Sequence, residues 1–132
     1  LKIVYAVTKE QEEYMNYLVH YFYTNIFPYY FPDEQIQEFE NLQILSLDGE
    51  HVTYNGTMKE AFQIISALQS LITIIEHIGE SGDCERYRYL FERNIDILRR
   101  HGITFPFMIE QFANKRRYPC SAYFPSPGKW LM

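Results

Sequence analysis

Cysteine is scarce in this chain of 132 residues: Cys84 and Cys120 are its two thiols, far apart and in no C-x-x-C spacing. A small secreted domain stapled by disulfides would carry more, so free thiols in a reducing cytosol are expected. Cys120 follows Lys115, Arg116 and Arg117 and is the better placed of the two to react. Glycine-rich phosphate cradles are missing: there is no G-x-G-x-x-G and no Walker loop. G-x-S-x-G and H-E-x-x-H are absent too, and no histidine follows a glutamate by three residues, which excludes the Glu-x-x-His pair of di-iron bundles. Long hydrophobic runs are also missing. The longest uncharged apolar stretch, residues 61–75, is interrupted by Gln63, Ser66, Gln69, Ser70 and Thr73 and is shorter than the roughly 20 residues of a membrane span. The apolar start at residues 3–7 is too short for a signal peptide, and no internal repeat is visible. The opening Leu1 is what a non-standard start codon or a trimmed end would leave.

Basic residues are few in the first half. Residues 1–66 hold 3 basic and 10 acidic side chains, whereas from Arg86 onward the chain holds 9 basic and 3 acidic. The net charge of −5 argues against nucleic acid as the main partner. The asymmetry is a means of steering a protein partner, or of pairing two copies, if it is more than an accident of composition.

Aromatic residues are abundant, at 17% of the chain. Nine of them fall within residues 14–31. Each brings a large apolar area, and each tyrosine adds a polar handle, so the cluster is either an anchor for the fold or a surface built to hold something.

Residues 2–7, rich in β-branched and aromatic side chains, predict a short buried strand. Thr8 with Gln11 forms a capping box for a helix to about Phe27, where Pro28 disfavours continuation. Its core stripe is Met15, Leu18, Val19, Phe22 and Ile26. Asp33 is placed to cap a second helix to about Leu42, with Ile36 and Phe39 inward. Residues 44–47 and 51–54 around Asp48, Gly49 and Glu50 predict a hairpin. A second capping box, Thr57 to Glu60, launches the strongest helix, from Met58 to about Ile78, closed by Gly79 and read as the central buried helix. Asp83 caps a helix to about His101 with Tyr87, Leu90, Phe91, Ile95 and Leu98 inward, closed by Gly102; Arg88–Glu92 and Asp96–Arg100 are its expected i,i+4 pairs. Pro106 suits the first turn of a short helix to about Ala113.

The expected architecture is therefore mostly α (α+β): three long packed helices with a small β-sheet from the N-terminal strand and the hairpin near residues 44–54. Residues 1–113 form the helical domain, and 114–132 form an extended or flexible tail.

Candidate functional residues are few. The elbow of Phe27, Tyr29, Tyr30 and Phe31, braced by Pro28 and Pro32, is the candidate partner-binding surface, weighed against the alternative that it plugs one end of the bundle. Glu13, Tyr17 and His20 share a polar helix face and form a candidate site for a small molecule, set against an ordinary solvated face. His77 and His101 lie at helix ends, where capping explains them. Residues 115–118 with Arg99 and Arg100 are a short basic-aromatic cluster, for which a solvated tail is the simpler account. No catalytic residue, metal site or cofactor is assigned.

Several runs carry a family resemblance. Lys2-Ile3-Val4-Tyr5-Ala6 with Glu10-Gln11-Glu12-Glu13, Tyr21-Phe22-Tyr23 with Ile26-Phe27-Pro28, Phe31-Pro32-Asp33, Gly56-Thr57, the stretch from Ala61 to Gln69, Leu90-Phe91-Glu92-Arg93-Asn94 and Phe105-Pro106-Phe107 together resemble the YhcU-like proteins of Bacillus and relatives, over most of the chain to about Phe112. That family is small, cytosolic and without assigned activity, so the resemblance transfers no functional residue. The expected function is a cytoplasmic, non-enzymatic protein–protein interaction or regulatory module acting on a protein partner or on itself, with no membrane role. Enzymatic activity through Glu13, Tyr17 and His20 is the alternative.

Overall fold

In the computed structural model, residues 9–45 and 58–113 are described. Four α-helices carry the fold: α1 (Lys9–Tyr21), α2 (Asp33–Asn41), α3 (Met58–Ser81) and α4 (Cys84–Arg100). The long α3 is the axis of the molecule. Ala61, Ile64, Leu68, Leu71, Ile75 and Ile78 fall at helical spacing and are almost wholly buried, and each large side chain so removed from water contributes about 1.5–3 kcal/mol. α1 lies alongside α3 in the same direction, since Gln69 bonds Tyr14 and, further along both helices, Tyr21 bonds Glu76. α4 returns antiparallel on the other side of α3: His77 stacks on Tyr87 at one end, and Gln63 meets His101 at the other.

The turns that join these helices follow local chemistry. Gly82 takes φ +72° and its N–H donates to the carbonyl of Ile78, ending α3. Asp83 then accepts a hydrogen bond from the Arg86 N–H and caps α4. Gly102, at φ +78°, closes α4. α3 runs through Gly79 rather than stopping there, because Gly82 supplies the left-handed residue. α2 begins one residue earlier than an Asp33 cap requires: Pro32 stands at the N-cap and Asp33 is the first helical residue.

α1 does not end at Pro28 as an ordinary helix. It widens into a π-turn (Phe22–Ile26), with the Phe27 N–H reaching back to the Phe22 carbonyl, and then tightens into a 3-10 turn (Phe27–Tyr29). The extra residue in the turn changes the facing of the chain. As a result Phe22, Tyr23, Ile26 and Phe27 are all buried, a broader apolar arc than one helix stripe gives.

The expected β-sheet is not observed: there is no strand among the described residues. Ile44 and Leu45, expected to open the hairpin, form a buried turn. Gln43 and Leu45 have φ of 58° and 60°, a left-handed geometry that a pleated strand does not accommodate. Two tertiary bonds hold this turn. The Leu45 N–H donates to the Thr104 carbonyl at 2.8 Å, and the Tyr23 hydroxyl donates to the Ile44 carbonyl at 2.7 Å. The predicted strand at 2–7, the rest of the hairpin, the Thr8 and Thr57 caps and the 114–132 tail lie outside the described residues.

The segment after α4 also departs from expectation. Pro106 starts no helix; residues 103–108 have no regular secondary structure, and a short 3-10 turn (Ile109–Phe112) follows. Ile103, Phe105, Phe107 and Ile109 are buried while Thr104, Pro106 and Met108 are exposed, an alternation of period two. Its phenylalanines enter the core against α1, α2 and α4. Phe107 packs edge-on to Phe39 at 5.2 Å, Phe105 to Phe22 at 5.6 Å, and Phe112 to Tyr30 at 5.0 Å.

Candidate functional site

The aromatic elbow is interior. Phe27 is fully buried, Phe31 and Tyr30 nearly so, and Tyr29 half-buried. Phe27 lies against five rings, those of Phe22, Tyr23, Phe31, Phe39 and Phe107, at 5.0–6.0 Å between centroids. Burial pushes the Tyr30 hydroxyl up to about 12, with Glu76 and Glu80 adding to the effect. These rings lie inside the core, and in this conformation Phe27, Tyr30 and Phe31 present almost no surface to a partner.

Glu13, Tyr17 and His20 do lie along one side of α1, but neither groove that α3 forms with α1 and α4 gathers them. Glu13 is exposed, with Lys9 4.0 Å away. His20 is half-buried, and its Nδ1 is buried without a hydrogen-bond partner. Of the three, Tyr17 lines a groove between described residues of α1 and α3, and Glu13 and His20 do not line that groove.

That groove runs between α1 and α3 and has a volume of about 440 Å³. Tyr14, Tyr17 and Tyr21, at i, i+3 and i+7, form its α1 wall. Tyr14 and Tyr17 stack with centroids 6.0 Å apart and planes within 14°. Leu18 and Ile72 make the floor, and Gln69 and Thr73 of α3 form the far rim. Both ends of the tyrosine row are tied to α3, by the Gln69 amide to the Tyr14 hydroxyl and by the Tyr21 hydroxyl to Glu76 at 2.8 Å. Accepting the Tyr21 proton as a hydrogen bond, Glu76 raises the pKa of that hydroxyl above its ordinary value.

Across the same α3 rim lies a second groove, about 360 Å³, walled by Tyr87, Leu90 and Asn94 of α4. Leu90 was expected to face the core and is instead 46% exposed here. Gln69 and Thr73 line both grooves. They belong to a solvent-facing ridge on α3 that also holds Ser66 and the 58%-exposed Phe62. No Asp, Glu, Lys or Arg lines either groove. In a chain with 22% charged residues that is a sizeable neutral surface, and it joins three helices.

Sequence reasoning missed this surface because it took the uncharged run at 61–75 as buried all round. The available signal was that Phe62, Ser66, Gln69 and Thr73 recur at i, i+4, i+7 and i+11, which places them on one side of α3, away from its aliphatic stripe. By composition α3 is long and apolar enough to cross a membrane, yet just over half of that stretch is buried inside the protein.

Elsewhere the polar chemistry is structural. His101 is 9% exposed, with Nε2 3.0 Å from Gln63 and Nδ1 3.9 Å from Glu60. Burial holds its pKa below the ordinary 6.5, and Glu60 opposes that shift. Arg88 bridges Glu85 and Glu110, tying α4 to the C-terminal 3-10 turn in place of the expected Arg88–Glu92 pair. Arg99 pairs with Asp96 rather than Arg100 doing so. Cys84 is half-buried, and desolvation, then Glu110, raises its thiol pKa, the opposite of an activated nucleophile. Among the described residues no three of His, Cys, Asp and Glu are placed to hold a metal ion.

This helical, aromatic-cored chain matches one family model over residues 1–117, that of a family of unknown function, DUF5365. The chain belongs to the DUF5365 family. It is 36% identical over 115 residues to the uncharacterised protein YhcU of Bacillus subtilis (strain 168), covering 87% of this chain and 86% of that protein. The resemblance read from the runs between Lys2 and Phe107 is therefore real, and the DUF5365 chain takes from it a family whose function is not assigned. No solved structure matches.

Proposed function

We propose that the protein is a non-enzymatic protein-interaction module of the cytoplasm, and that its contact surface is the neutral face formed by α1, α3 and α4 rather than the aromatic elbow. The observation that carries this reading is the pair of grooves flanking the α3 ridge without one charged lining residue. Exposed tyrosines held by hydrogen bonds lose little freedom on contact and offer both apolar area and a hydroxyl, which is why they recur at protein interfaces. Both grooves are wide open rather than enclosed, which suits a protein surface better than a small ligand, whose pockets bury most of it. The two cysteines in no paired spacing support the cytoplasmic placement.

The test uses the full-length protein with a photo-crosslinking amino acid at position 17 and, as a control, at Met108, which is 66% exposed and lines neither groove. After irradiation in native cytosol, protein adducts form from position 17, not from position 108, and disappear when Thr73→Arg places a charge on the ridge. Equal adducts from both positions, or none from position 17, would remove the proposal.

A further inference from the structure

We infer that the occupant of this face is a second copy of the same chain, docked about a two-fold axis parallel to α3; the inference rests on the interaction reading above. Charge is the first argument. The row that carries Tyr14, Tyr17 and Tyr21 continues to Glu10, and Glu13, with Lys9 4.0 Å away, stands beside Tyr17, so the outer edge of the face on α1 sets two carboxylates against one ammonium and is net acidic. On α4, Arg86, Arg93 and Arg100 recur at i, i+7 and i+14 directly outside Leu90 and Asn94, so the opposite edge is basic. All six of these charged side chains belong to exposed residues.

A two-fold axis parallel to α3 exchanges left and right while keeping height. It therefore lays the acidic α1 edge of each copy over the basic α4 edge of the other, twice per dimer. Gln69 is flanked by Tyr14 in one groove and Asn94 in the other, so their sequence neighbours Glu13 and Arg93 stand at matching heights. A two-fold axis perpendicular to α3 would instead oppose acidic edge to acidic edge.

Shape is the second argument. A ridge with a groove on each side is self-complementary under the same axis. The Phe62–Thr73 ridge of one copy seats in the α3–α4 groove of the other, and the reverse contact follows by symmetry. The ridge from Phe62 to Thr73 carries no charge, so along that stretch two copies of an acidic protein meet without opposing like charges.

The full-length protein is examined by sedimentation velocity across a wide concentration range, with circular dichroism confirming that each variant is folded. The wild type is a dimer. Arg93→Glu and Glu13→Arg each weaken it by about tenfold or more, since each sets like charges edge to edge. The double variant carrying both regains dimerisation, because the reversed charges again face each other across the axis. A monomeric wild type overturns the inference, as does a dimer indifferent to the single reversals or not rescued by the double. If the wild type is monomeric while position 17 still crosslinks a different protein, the self-pairing fails and the interaction reading stands.

Discussion

His101 shows how a single side chain can be ordinary in sequence and consequential in place. Its place at the end of α4 was explained by helix capping alone, but it lies buried between Gln63 and Glu60 of α3. Burial favours its neutral form, so its folded pKa lies below the unfolded 6.5. The unfolded chain then takes up a proton that the folded chain resists. The resulting contribution to stability is fully present above pH 6.5 and is lost as pH falls through the folded value. Urea unfolding measured at steps from about pH 8 to pH 5 is expected to show stability declining with acid, and His101→Gln is expected to flatten that decline. An unchanged pH profile in the variant would assign the decline to other groups. The elbow makes the same point about place. Nothing local to Phe27 reveals that Phe107 covers it, because the ring that buries it arrives from far along the chain.

At the scale of elements, what was legible in the sequence was what local chemistry decides. The Asp83 cap, the Gly102 stop and the aliphatic stripe of α3 depend on neighbours within a turn or two, and all three are present. What was not legible depended on tertiary contacts. Ile44 and Leu45 have strand-like side chains, but the bonds to Thr104 and Tyr23 fix them in a turn. The π-turn of α1 likewise follows from the need to bury four side chains at once, which no propensity encodes. The alternation of Ile103, Phe105, Phe107 and Ile109 was available and was overridden by reading Pro106 as a helix start. One element-scale prediction isolates backbone geometry. A Cβ at Gly82 would meet nothing within 4 Å, so Gly82→Ala tests the left-handed conformation alone. It should cost about 1–2 kcal/mol in chemical denaturation, and Gly82→Asn should cost less. Equal stability of all three would show that α3 ends by other means.

For the whole molecule, the division of labour among aromatics is the main result. Those from Phe22 to Phe31 join Phe39 and the phenylalanines at 105, 107 and 112 to form the core. Tyr14, Tyr17 and Tyr87 stay at the surface with Leu90, on a neutral face bounded by acidic α1 and basic α4. The charge asymmetry seen along the sequence thus becomes an asymmetry across one face, where it can orient a contact instead of merely biasing solubility. Hydroxyl-radical footprinting of the full-length protein, at concentrations below and above self-association, reads that face directly. Tyr14, Tyr17, Phe62 and Leu90 are expected to gain protection on assembly, while Met108, 66% exposed beside Asp96 and Arg99 and away from both grooves, labels equally in both states. Protection at Met108 with the neutral face still labelled would contradict the account.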